Sequence, residues 1–77
     1  MFKFVMGKGE TMLTVYKDNS DHPVLRLNQV FMPQKPGDTE LDPYNMILTH
    51  QDIVFYGKES TKYLREMLDL IDDMLDN

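Results

Sequence analysis

The chain has 77 residues, no cysteine, and thirteen acidic against eight basic side chains, for a formal net charge of −5. That length holds a single domain and no second core, and it excludes disulfide support; the lack of cysteine also fits a reducing compartment. A domain this small buries only about 60% of the surface its unfolded chain exposes, so a second subunit or a partner is the expected source of additional stability.

Phe2, Phe4 and Met6 alternate as one face of a β-strand does. The stretch from Met1 to Lys8 is too short for a signal-peptide core and no small-residue cleavage site follows it. No run in the chain reaches bilayer-spanning length, so a soluble, cytoplasmic protein is expected, with no membrane partner. Gly7-Lys8-Gly9-Glu10 reads as a turn, with Gly7 or Gly9 supplying positive φ. Met12 to Lys17 resumes a strand with Leu13 and Val15 on one side, and Asp18-Asn19-Ser20-Asp21, closed by Pro23, is a second turn. Val24 to Met32 is the longest strand candidate; Leu25, Leu27 and Phe31 share one face, and Val24, Arg26, Asn28, Val30 and Met32 the other. Three strands joined by short turns imply an antiparallel meander.

Pro33 to Tyr44, punctuated by Pro36-Gly37 and Asp42-Pro43, is a loop by composition. Met46 to Thr49 suggests a short strand and Ile53 to Tyr56 a firmer one, with His50-Gln51-Asp52 either a tight turn or a bulge within one longer strand. From about residue 58 to 76 the apolar positions Tyr63, Leu64, Met67, Leu68, Leu70, Ile71, Met74 and Leu75 recur at helical spacing, with Gly57 or Ser60 as N-terminal cap. The expected fold is α+β: an antiparallel sheet of about four or five strands with one C-terminal amphipathic helix packed on one face. Tyr63, Leu64, Met67, Leu70, Ile71 and Met74 are then expected as core against the sheet, with a second role as a seam for a dimer mate or partner helix.

The charges divide unevenly. Residues 1–37 carry five bases and three acids; residues 38–77 carry three bases and ten acids. Glu66, Asp69, Asp72, Asp73 and Asp76 form a ridge on the helix face opposite the apolar stripe, and no base follows Arg65. Anions in the last turns oppose the helix dipole and repel one another, a cost of about 1–3 kcal/mol in all. A sequence that breaks local rules in this way marks either a solubilising face or a binding surface. The negative half disfavours direct nucleic-acid binding and favours a protein partner with a basic surface.

Other constellations are weak. His22 and His50 lack the companions of a zinc set, and Asp18 to Asp21 lacks the spacing, central glycine and terminal Glu of a calcium loop. Pro33-Gln34-Lys35-Pro36 matches a proline-rich ligand only by letter. Gly7-Lys8-Gly9 is too short to cradle a phosphate, so no cofactor is implied. Ser20 and Ser60 have no nucleophile context, and no catalytic residue is assigned. Two functions are expected. The first is a small acidic inhibitor or adaptor, of a type found among phage and mobile-element proteins, that offers the ridge to a basic, nucleic-acid-binding partner as a nucleic-acid mimic. The alternative is a self-associating structural protein that forms a homodimer through the helix stripe.

Overall fold

The computed structural model describes residues 2–76, and the side chains of 3–76. The fold is α+β: a meander of four antiparallel strands in spatial order β1-β2-β3-β4, followed by one helix. The strands are β1 (Phe2–Met6), β2 (Thr11–Lys17), β3 (Pro23–Val30) and β4 (Ile47–Val54), and the helix is α1 (Lys58–Leu75). Phe4 and Met6 share a face as expected; the placing of Phe2 beside them falls outside the described side chains.

Both hairpin turns follow from local chemistry. In the first, Gly7 and Gly9 both take positive φ, +63° and +87°. In the second, the Asp18 carboxylate accepts the backbone N–H groups of Ser20 and His22, each at 2.9 Å. Asp21 sits at φ +63°, a conformation its short polar side chain tolerates.

Residues 47–54 form one continuous strand, so the tight turn considered for His50-Gln51-Asp52 does not exist. The irregularity lies earlier. Gln29 pairs with Thr49 but Val30 pairs with Ile47, which leaves Leu48 as the extra residue of a bulge. The third strand ends at Val30, short of the expected Met32, because the Phe31 N–H turns to the Met46 carbonyl at 2.8 Å and Asn45 takes over Met32.

The long loop is held in place by the backbone. Gln34 N–H donates to the Gly9 carbonyl at 2.7 Å, Gly37 N–H to the Val5 carbonyl at 2.8 Å, and Val5 N–H to the Asp38 carbonyl at 2.8 Å. The last two bonds run along the outer edge of β1 and cap it, which removes an open strand edge. Asn45 ties the loop ends together by accepting the N–H groups of Met32 and Met46 and donating to the Met32 carbonyl.

Paired residues in an antiparallel ladder share a face, and the registers therefore sort the sheet into two sides. One carries Val5, Met12, Thr14, Val24, Asn28 and Val30, all buried. The loop crosses this side, bringing Leu41 over Met12, Thr14 and Asn28. The other side carries Phe4, Met6, Leu13, Val15, Leu25, Leu27 and Ile53, and it is open: Phe4, Met6, Val15 and Ile53 are exposed, the three leucines only half-buried.

The expected packing of the helix on the sheet is corrected here. No strand runs alongside α1, and none of its residues is buried. The reason lies in the three residues that join it to β4. Phe55 N–H donates to the Pro23 carbonyl at 2.9 Å, and the Tyr56 ring meets the His22 ring edge-on with centroids 4.9 Å apart. Gly57 continues in extended conformation, and no linker residue adopts the positive φ that would help the chain reverse onto the sheet. The helix is thus directed past the end of the sheet. The molecule measures 41 × 38 × 18 Å with a Cα radius of gyration of 13.8 Å, where a compact chain of this length has about 11.5 Å.

Candidate interaction surface

The helix begins at Gly57, which acts as N-cap without any side-chain capping bond. Ser60, the other cap considered, lies inside the first turn, and its hydroxyl donates to the Gly57 carbonyl at 2.6 Å. Glu59 stands favourably at the positive end of the dipole, whereas the last turn contains no base.

All five ridge residues, Glu66, Asp69, Asp72, Asp73 and Asp76, are exposed. Among the described residues no sheet lysine or arginine forms an ion pair with Glu66, Asp69, Asp72 or Asp76, and Arg65 does not pair with Asp69. The stripe on the opposite side is exposed as well. Tyr63, Met67, Leu70 and Ile71 each keep about half of their surface in contact with solvent, Met74 is 72% exposed, and only Leu64 is half-buried. These residues share a helix face as their spacing requires, but they do not form a core. An apolar groove of about 620 Å³ runs from the first two helical turns to the open sheet face, lined by Val15, Pro23, Leu25, Phe55 and Leu64 among others. The helix stripe and the open sheet face are therefore continuous.

Sequence reasoning identified the helix stripe but missed the sheet face as a surface. The alternation of Leu13 with Val15 and of Leu25 with Leu27 was visible, yet strand periodicity gives a face without telling which side the loop will cover.

A second cluster was also missed, on the loop side of the sheet. Arg26 and Asp52 are register partners across β3 and β4. The Arg26 guanidinium donates to both carboxylate oxygens, from Nε at 2.7 Å and from Nη2 at 2.8 Å. The Tyr16 hydroxyl donates to Asp52 Oδ2 at 3.2 Å and accepts from Arg26 Nη2 at 3.1 Å, while the guanidinium carbon lies 5.2 Å from the Tyr16 ring centroid. The hydrogen bonds from Arg26 hold the Asp52 carboxyl below its ordinary range, against a smaller opposing effect of desolvation. The bond to Asp52 raises Arg26 further above neutrality. Partial burial pushes the Tyr16 phenol up, opposed by Arg26 and reinforced by Asp52. Every partner in this triad is satisfied within the sheet, which makes it a cross-strand clamp (a structural device) and leaves no free acid or base.

The clamp gives a pH dependence of known sign. A carboxyl whose folded pKa lies below its unfolded value stabilises the protein fully above the unfolded value, near 3.9, and loses that contribution as pH falls through the folded value. Asp52→Asn is accordingly expected to lower Tm at pH 7, with the gap to wild type closing as the pH drops below about 4. Thermal melts at several pH values read this out; a gap that does not narrow on acidification contradicts the assignment.

Among the described residues no group of three His, Cys, Asp or Glu side chains is placed to hold a metal ion, and no helix is long and apolar enough to cross a membrane. The chain matches no family model, and neither a curated protein nor a solved structure is similar to it.

Proposed function

We propose that this chain is a protein-binding module that works through its C-terminal helix, with the acidic ridge directed to a cationic protein surface and no catalytic role. The observation that carries the reading is the helix itself: eighteen residues, none buried, standing clear of the sheet. In a marginal domain such a helix gains little from its own fold, since most helical stability in proteins comes from packing an amphipathic face. Its anions oppose its dipole, and its last turn contains no base. A cationic groove on a partner would relieve that repulsion and steer association. An inhibitor or adaptor that occupies a nucleic-acid-binding surface fits this chemistry.

The test is a capture experiment with tagged chain in extract of its native host, at low salt, against the variant Asp69→Asn/Asp72→Asn/Asp73→Asn/Asp76→Asn. Basic proteins retained by wild type should be lost by the variant. The isolated variant should be no less stable, because each neutralised anion in the last turns relieves about 0.3–1 kcal/mol of unfavourable dipole interaction. Equal retention by both chains, or retention by neither, contradicts the proposal.

A second reading, self-association through the stripe, is favoured by the exposure of Met67, Ile71 and Met74.

A further inference from the structure

We infer that two copies of this chain form a reciprocal dimer in which the apolar stripe of each helix lies on the open sheet face of the other copy. This rests on the reading that the helix is the binding element, and it names the occupant of the stripe: a sheet, and that of a second copy, in place of a second helix.

Surface area gives the first argument. A compact chain of 9.1 kDa exposes about 4,900 Å², whereas this one exposes 6367 Å². The excess, about 1,500 Å² per copy, gives about 3,000 Å² when two copies cover each other, within the range of about 2,000–5,000 Å² for obligate homodimers. Both faces contribute exposed large apolar side chains, Phe4, Val15 and Ile53 on the sheet and Met67, Ile71 and Met74 on the helix, beside a separate group of Phe31, Met46, Ile47 and Leu48.

Shape gives the second. An eighteen-residue helix is roughly 27 Å long and about 10 Å wide. Strands of seven and eight residues run about 25 Å, and four of them span about 15 Å from first to last. One helix therefore fits one sheet face. The pinned linker directs each helix away from its own sheet, and a two-fold axis returns it to the sheet of its mate. With the stripes covered, both acidic ridges remain on the outside, available to a cationic partner.

The test uses two full-length variants that alter exposed side chains and leave the buried core intact. The sheet variant is Val15→Lys/Ile53→Lys, at positions 45% and 38% exposed in the single chain. The helix variant is Met67→Lys/Ile71→Lys. Sedimentation velocity from 5 to 500 µM, with far-UV circular dichroism to verify folding, should show wild type as a dimer and each variant alone as a monomer. The 1:1 mixture should form a heterodimer, because the intact helix of one variant fits the intact sheet of the other. A pairing of helix with helix predicts no heterodimer, because one helix of every mixed pair is damaged. A monomeric wild type at 500 µM, or a mixture that stays monomeric, overturns the inference. If wild type is monomeric and still captures basic proteins through the ridge, the inference fails alone; loss of ridge-dependent capture from a chain that does dimerise removes the functional reading alone.

Discussion

Gly9→Ala is expected to destabilise the protein by about 2–5 kcal/mol, and Gly7→Ala by only about 1–2 kcal/mol. The two glycines stand two residues apart in one hairpin turn, and both have positive φ. Each alanine pays the left-handed penalty of about 1–2 kcal/mol. The difference lies in what a methyl group would meet. At Gly7 there is open space, whereas at Gly9 the new Cβ would run into the backbone carbonyl of Gln34. That carbonyl belongs to the loop segment whose N–H is bonded to Gly9 itself, so relief requires lifting the loop off the turn. Such overpacking adds about 1–3 kcal/mol. Since a chain of this size has a total stability of roughly 4–12 kcal/mol, the Gly9 variant should be largely unfolded at moderate urea concentrations. Equilibrium urea melts of both variants read the difference; equal midpoints would show that the loop does not rest on the turn.

The second large effect separates a dimer from a monomer through stability alone. Met67 and Ile71 are about half exposed and lie on a helix that packs against no strand. In an isolated chain, replacing both with lysine should change stability by no more than about 0.5 kcal/mol per site, as surface substitutions usually do. In the reciprocal dimer both side chains are covered, and fully burying each one stabilises by about 1.5–3 kcal/mol. The variant should then lose about 3–6 kcal/mol per chain. The Tm of wild type should also rise with protein concentration, and that of the variant should not. Identical melts at every concentration would mean that the stripe stays in solvent.

These two predictions mark where the sequence is informative and where it is not. Turn chemistry was legible because it is local: Gly7, Gly9 and Asp18 carry the conformations and bonds that their types imply. The helix was legible from its spacing, and so was the location of the ridge. What escaped were relations set by distant parts of the chain. His50-Gln51-Asp52 looked like a polar break between two apolar runs. In the fold, His50 pairs with Asn28 and Asp52 bonds Arg26 on the loop side, while Gln51 pairs with Leu27 on the open side, so the polar residues are ordinary strand positions. The helix was placed on the sheet because an apolar stripe and an apolar sheet face normally meet within one domain. Here the linker decides otherwise, held by the His22–Tyr56 contact and the bond from Phe55 to Pro23. No periodicity reveals that. The same geometry takes the stripe out of the core and leaves it exposed, with the acidic ridge on the opposite side of the helix; in the proposed dimer the stripe becomes the interface.

The most direct test is an isotope-filtered nuclear Overhauser experiment on a dimer mixed from carbon-13-labelled and unlabelled chains. Cross-peaks between the methyl groups of Ile71 or Met67 and those of Val15, Leu25 or Ile53 should survive the filter, because they arise between chains. If the same contacts appear only within one chain, the helix folds onto its own sheet and the reciprocal arrangement is wrong.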